Sequence, residues 1–473
     1  MPRGSRLKAL VMNKWHVLLA IPVLLAACTV GPRHRVPETP LPAQFDQAPA
    51  AATAQPVGSK LWAGFGSSEL DVLIARALEA NTTIAQAAAR LDETRALSGL
   101  SMYSWAPTIT AGAAGEKSKV SSQDPFGPPG GLSTETYRAG FDASWEIDLF
   151  GGLRNENKAI RRRVEADTAS LADARLSIVA ETAQAWFALI GARERLDLRR
   201  QQLANLQDNV GILQARVDAG NSNALDLNRA EAQMRSVAAS VPEAESDVVR
   251  QEQRLTVLTA WPIATLRSKL SPITGIPELP VLVATGTPED WMKRRPDIRA
   301  AERELAAVTA DVGEQIAEYF PKIELLGSFG WTTQQRKMLG NPAAERWSYG
   351  PSITWSFLDF GRVTQNVKAA QARRNGAIAR YQETVLKALE ETENALAGFR
   401  ATNRSEDELR AGAAAATEAA RLARMRYDVG AGDYLSVLDS ERTMLDLEDQ
   451  HVRAATGRAT ALAALYKALA GDL

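Results

Sequence analysis

Cysteine is almost absent: among 473 residues only Cys28 carries a thiol. A single thiol excludes an internal disulfide framework and a cysteine-ligated zinc site of ordinary spacing. Histidine is nearly as scarce, and His16, His34 and His451 form no metal-ligand pattern. No G-x-x-x-x-G-K-[ST] loop is present, so the usual cradle for nucleotide hydrolysis is missing. Gly64-Phe65-Gly66-Ser67-Ser68 fails the spacing of a serine elbow, and no strand precedes it. The formal net charge is −1, with no cationic excess to attract nucleic acid. These absences argue against an enzyme, and no cofactor is expected.

The N-terminus has its own character. Arg3, Arg6, Lys8 and Lys14 precede the apolar run Val17–Ala27, which contains no acid. That run is too short to cross a bilayer and ends in small residues, so residues 1–27 read as a cleaved export signal. Met12 would begin a signal of more usual length. Cys28 comes directly after Leu25-Ala26-Ala27. It could be a small buried residue, as free cysteines often are, or the acceptor of a bacterial lipoprotein anchor. Pro32, Pro37, Pro40 and Pro42 come next, in a lead over 28–60 that does not suit a packed core, and this favours the anchor. Acyl chains there would add roughly 0.8 kcal/mol of membrane affinity per buried CH₂.

The rest of the chain is one architecture made twice. Tyr137–Gly151 (YRAGFDASWEIDLFG) aligns with Trp347–Gly361 (WSYGPSITWSFLDFG), and Ala215–Gly220 with Met425–Gly430. Trp105-Ala106-Pro107 likewise matches Tyr319-Phe320-Pro321. Such self-similarity organises the sequence into a first repeat over 61–275 and a second over 276–473. A Gly-, Pro- and Ser-rich loop near Ser121–Ser133 is replaced in the second repeat by a shorter one around Leu339–Pro342.

Each repeat reads helix, strand, loop, strand, long helix, turn, helix. From Tyr137 the odd positions Phe141, Trp145, Ile147 and Leu149 oppose Arg138, Asp142, Ser144 and Glu146. From Trp347, Tyr349, Ile353, Trp355 and Phe357 keep the same parity. The partner strands are Thr108–Val120 and Lys322–Thr333. One apolar and one polar face fits a soluble sheet packed on a core or a transmembrane barrel with a polar lumen. Four strands in two hairpins are too few to close a barrel, since outer-membrane barrels begin at about eight. A barrel would therefore need pooled subunits, and three chains would supply twelve strands.

Leu153–Val217 and Arg362–Val429 contain no proline. As uninterrupted helices each would run near 100 Å at about 1.5 Å per residue, a length that suits coiled-coil packing. The glycine turns Ala219-Gly220-Asn221-Ser222 and Val429-Gly430-Ala431-Gly432-Asp433 then lead into helices over Ala224–Ala260 and Tyr434–Ala470. Two helical hairpins would point their tips the same way.

With these pieces in order, the chain resembles the TolC/NodT-like outer-membrane factor family, in the lipoprotein subgroup serving resistance–nodulation–division efflux systems. The resemblance rests on Cys28-Thr29-Val30-Gly31-Pro32, Leu61-Trp62-Ala63-Gly64-Phe65, Arg294-Arg295-Pro296-Asp297-Ile298, Tyr319-Phe320-Pro321, Asp359-Phe360-Gly361 and Tyr427-Asp428-Val429-Gly430 with Tyr434-Leu435. Each piece alone is weak; their order and spacing are specific.

The resemblance implies an α+β membrane protein, a homotrimer whose twelve-stranded β-barrel in the outer membrane continues into a long antiparallel coiled-coil α-barrel in the periplasm. It implies a belt formed by the N-terminal lead, the segment Pro262–Pro288 and the C-terminus. By motif position the periplasmic gate would fall on Leu435 and Asp439, four apart and so on one helical face. In the first repeat Leu225 matches Leu435, and Arg229 stands where Asp439 does, so an Arg229–Asp439 latch is one reading. Local pairing of Asp439 with Arg442, or a solvent-facing Asp439, is the other. The turns at Gly220 and Gly430 match the tips that receive a periplasmic adaptor (membrane fusion) protein. The remaining implied partners are an inner-membrane proton-driven pump and outer-membrane lipid. Arg295 and its neighbours have a local reading as well: Pro296 suits a first helical turn and Asp297 its positive end. Rival functions are a duct for type I protein secretion and a periplasmic scaffolding lipoprotein.

Overall fold

A computed structural model describes residues 29–48, 65–123, 125–126, 132–220, 223–270, 275–279 and 283–469. The export signal, Cys28, Leu61–Gly64, Asn221 and Ser222 lie outside the described residues. The first repeat contributes helices α1 (Ser68–Ala80) and α2 (Thr82–Tyr103), strands β1 (Thr108–Val120) and β2 (Leu132–Ile147), and helices α3 (Gly152–Asp218) and α4 (Ala224–Thr259). Short helix α5 (Ile263–Leu270) comes after them. The second repeat supplies α6 (Pro288–Arg294), α7 (Pro296–Ala317), β3 (Lys322–Thr333), β4 (Glu345–Thr354), α8 (Phe360–Asp428) and α9 (Tyr434–Ala468).

The long helices form where proline is missing: α3 has 67 residues and α8 has 69. Two details depart from the sequence expectation. Each repeat opens with two helices, not one, because Asn81 and Arg295 adopt extended backbone and break the run. Asn81 also caps α2, its Oδ1 accepting from the Thr83 backbone N–H at 2.8 Å. Strand β4 ends at Thr354, so Trp355 and Phe357 lie beyond it. There the Trp355 indole Nε1 donates to the Tyr319 carbonyl at 3.1 Å, as Trp145 Nε1 does to Trp105 at 2.9 Å. The duplication thus extends to single hydrogen bonds.

The chain divides into two compact units, each taking segments from both repeats. One comprises Leu91–Asp167, Ala300–Tyr381 and the N-terminal residues through Pro37. Its four strands form a single antiparallel sheet in the order β1-β2-β3-β4. The two expected hairpins are joined by β2 pairing with β3, with Phe141 opposite Phe329 and Trp145 opposite Leu325. Register carries side-chain parity across every strand. One face has the rows Ala111–Phe141–Phe329–Trp347 and Ile147–Ile323–Ile353; the other has Thr110–Asp142–Ser328–Ser348. The apolar face is uncovered: Trp347 is 66% exposed, Ile353 68% and Tyr349 80%. A soluble sheet would bury such residues, each worth roughly 1.5–3 kcal/mol on burial.

The second unit comprises Glu38–Arg90, Thr168–Arg299 and Gln382–Leu473. Its core packs Phe65 against Phe187 (5.1 Å between centroids) and Tyr466 (5.2 Å), with Trp186, Leu255 and Leu462 also buried. Two of the segments expected to form a belt, the lead and the C-terminus, meet here on Trp291 of α6, which follows Pro262–Pro288. Phe45 from the lead packs edge-on against Trp291 at 5.7 Å, and the Asp46 and Gln47 backbone N–H groups donate to Glu393. Trp291 Nε1 in turn donates to the carbonyl of Ala468 near the C-terminus, at 2.9 Å.

Arg295 ties this belt together. Its guanidinium binds Asp297 at 2.8 Å and Glu391 at 2.6 Å, donates to the Ala468 carbonyl at 3.1 Å, and lies 5.6 Å over the Trp291 ring. Burial works against the charge, but the Asp297 and Glu391 carboxylates outweigh it and raise the arginine pKa above its usual value. Burial likewise raises the Asp173 carboxyl, with help from nearby Asp297. The local, structural reading of the Arg-Arg-Pro-Asp segment is therefore the one its contacts support. Pro296 opens α7 and Asp297 sits in its first turn.

Candidate channel gate and anchor

The gate region is built from two helix ends that use the same device. After α3, Gly220 turns at φ +74° and its N–H donates to the Val217 carbonyl at 2.9 Å. After α8, Gly430 also turns at φ +74°, donating to Tyr427, while the Ala431 N–H reaches back to Arg426 at 2.8 Å. Such left-handed positions favour glycine because it has no Cβ. The returning helices are capped by side chains: Asn223 accepts from the Asp226 N–H at 2.9 Å and Asp433 from Ser436 at 2.7 Å. Hydrogen bonding to Ser436 lowers the Asp433 pKa.

The two tips lie side by side within the chain. Leu213 and Ala230 of the first hairpin form one buried cluster with Tyr434 and Val437 of the second. Arg216 sits 5.3 Å over the Tyr427 ring and pairs with Asp428 at 3.5 Å. Tyr434 is 3% exposed, and its hydroxyl has no hydrogen-bond partner among the described residues. Burial, aided by the nearby Glu441 carboxylate, pushes the phenol up to about 12. Removing that hydroxyl should cost nothing. Tyr434→Phe is expected to leave thermal stability unchanged or slightly raised, whereas Tyr434→Ala should lose about 3–5 kcal/mol. A clear loss in Tyr434→Phe would reveal a partner for the hydroxyl in the assembled protein.

The expected gate residues occupy the opposite side of these helices. Leu225 is 57% exposed and Leu435 53%, and Asp439 is exposed while Tyr434 and Val437 face inward. Arg229 does not meet Asp439 within the chain; its guanidinium lies 3.8 Å from Asp226. Asp439 makes no ion pair among the described residues, so pairing with Arg442 is not formed either. A latch through these residues would have to cross from one chain to another.

Cys28 lies outside the described residues, but the segment just after it is tightly held. The Val30 N–H donates to the Phe150 carbonyl at 3.2 Å, and Asn155 Nδ2 donates to the Val30 carbonyl at 2.9 Å. Gly31 adopts φ +121°, and a Cβ on it would fall 2.5 Å from the Gly313 Cα. A Cβ on Gly151 would fall 2.7 Å from Thr29 Cγ2. Further along, His34 Nε2 lies 2.7 Å from Glu302. Sequence reasoning missed Gly151, Asn155 and Gly313. The one available signal was an isolated glycine inside the helical pattern of α7. Among the described residues no group of three or more His, Cys, Asp or Glu could hold a metal ion. No described helix is long and apolar enough to cross a membrane.

Comparison with known proteins settles the family. The family described as Outer membrane efflux protein matches residues 73–260 and 287–471, one stretch in each repeat. The chain belongs to the outer membrane efflux protein family. It is 31% identical to outer membrane protein OprJ of Pseudomonas aeruginosa, over 96% of this chain and 95% of that protein. It is 26% identical to the solvent efflux pump outer membrane protein SrpC of Pseudomonas putida, over 95% and 96% respectively. The solved outer-membrane channel OprN superposes with a TM-score of 0.88 at 34% identity, covering 94% of this chain and 99% of OprN. This member of the efflux family is an outer-membrane channel component, located in the outer membrane with a periplasmic portion.

Proposed function

We propose that three copies of this efflux protein close one duct, a twelve-stranded barrel in the outer membrane continuing into a twelve-helix periplasmic tunnel. The observation that carries this is the four-stranded sheet, with its uncovered apolar face and with β1 and β4 left as its two outer strands. Edge strands seek partners, and pairing β4 of one copy with β1 of the next removes every edge. The apolar rows would then meet lipid and the Thr110–Asp142–Ser328–Ser348 row would line water. The two repeats, 61–275 and 276–473, explain why each chain supplies two hairpins of each kind.

In this reading the protein performs no catalysis and has no energy source. It is a passive exit for small molecules, driven by a proton-coupled resistance–nodulation–division pump in the inner membrane and bridged to it by a periplasmic adaptor. The adaptor engages the tips at Gly220 and Gly430, and Cys28 carries the lipid anchor. Leu435 and Leu225 narrow the tunnel mouth, and a ring of Asp439 carboxylates disfavours anions. Arg229 of a neighbouring copy latches Asp439. The exposure of Leu225, Leu435 and Asp439 within a single chain supports that assignment. Opening shifts a two-state closure of the tips.

The test is conductance. Asp439→Ala and Arg229→Ala are each expected to raise the resting conductance of the trimer in planar bilayers several-fold, with no additional effect when combined. Resting conductance equal to that of the parent protein in both variants removes these residues from the gate. A monomer that extracts without detergent removes the channel itself.

A further inference from the structure

A cavity of about 590 Å³ in the sheet-containing unit contains none of the proposed gate residues. It lies between the end of α2, with Trp105 just beyond it, and the first turns of α3. Met102 (63% exposed) and Trp105 (43%) form one wall. The other wall is cationic. Arg154 and Arg162 are already committed to Asp148 and Glu165, at 3.1 and 2.7 Å. Lys158 and Arg161 are exposed and make no ion pair among the described residues. Asn157 is 7% exposed; its Nδ2 donates to the Ser101 carbonyl at 3.0 Å, leaving Oδ1 buried without a partner. Two free cations and an orphaned acceptor beside an apolar wall call for an anionic group that also carries a donor and a hydrocarbon tail.

We infer that this cavity is a binding site for an anionic phosphoglycerol lipid of the periplasmic leaflet. The inference rests on the proposal that the sheet spans the outer membrane. Under that proposal, the cavity lies at the depth of the inner phosphates. Its Trp105 wall stands on the lipid side, because the Trp105 carbonyl accepts from Trp145, a member of the apolar rows. The seam between copies would fall at β4 and β1, whereas the cationic wall is carried by α3, which follows β2 and so stands one strand in from that seam. Lys158 and Arg161 take the phosphate, Asn157 Oδ1 accepts from the glycerol hydroxyl, and the acyl chains pass Met102 and Trp105 to the apolar face. A phosphoethanolamine lipid fits less well, because its ammonium would meet the two cations.

The test uses the intact trimer reconstituted with defined mixtures of phosphatidylglycerol, phosphatidylethanolamine and phosphatidylcholine, then measured by native mass spectrometry. One phosphatidylglycerol per protomer is expected to be retained in preference to the other two. The double variant Lys158→Gln/Arg161→Gln should weaken retention about 30-fold. The control Arg336→Gln/Lys337→Gln, on an exposed loop of the sheet, should retain lipid as the parent does. Equal retention of all three lipids, or of phosphatidylglycerol by parent and double variant, overturns the assignment. Conductance of the same preparation separates the two readings: lipid retention can fail in a conducting trimer, whereas absent conductance faults the barrel proposal itself.

Discussion

Replacing Arg295 with alanine is expected to cost about 3–5 kcal/mol, the penalty for stranding a buried charge pair. The guanidinium is 7% exposed and serves Asp297, Glu391 and the Ala468 carbonyl at once. Its loss would leave Lys467, 3.0 Å from Glu391, as the nearby cation facing Asp173, Asp297 and Glu391. Glu391 now has its pKa lowered although burial acts to raise it, because Arg295 and Lys467 stabilise its charge. Arg295→Lys should recover only part of the loss, since a single ammonium cannot reproduce a planar fork that reaches three acceptors. Urea unfolding monitored by far-UV circular dichroism measures both variants. A loss under about 1 kcal/mol for alanine would mean that the belt does not depend on this residue.

Gly313→Leu is expected to expel the N-terminal lead from its groove. A Cβ at position 313 would sit 2.6 Å from Asn155 Nδ2, the group that holds the Val30 carbonyl, and Gly31 already presses on the Gly313 Cα. The overpacking should cost about 1–3 kcal/mol, and the clearer consequence is local. Thr29–Gly31 should lose its hydrogen bonds to Phe150 and Asn155, so the trypsin sites at Arg33 and Arg35 should become rapidly cleavable. Trypsin cleavage there at the parent rate would show that the groove adapts. Because this segment joins the described fold to Cys28, the same variant should loosen the coupling between a lipid anchor and the sheet.

These two sites mark where the reach of local sequence pattern ends. The strands were legible because a sheet with one apolar and one polar face imposes a period of two, visible from Tyr137 to Ile147 and again from Trp347 to Ile353. The long helices were legible because proline is absent from them, and the tips because Gly220 and Gly430 stand at matching places in the two repeats. What pairs with what was not legible. Arg295 meets Glu391 and Ala468, 96 and 173 residues away, and no local pattern encodes such distances. The β2–β3 pairing joins strands from different repeats, and its register depends on both hairpins being in place. The sequence offered a latch between Arg229 and Asp439, but within one chain Arg229 lies beside Asp226.

From the sequence alone came the membership, the duplication, the alternation of apolar and polar side chains along the strands, and, through the resemblance, a leucine and an aspartate on one helical face near the second tip. All of these are periodic or motif-based, and periodicity is a local property of the backbone. The tertiary structure decided that four strands form one open-edged sheet, that Arg295 locks the belt, and that glycine contacts seat the residues after Cys28. It also decided that two cations beside α2 stand unpaired among the described residues. Each of these depends on which distant segments approach to within a few ångströms, and only packing determines that.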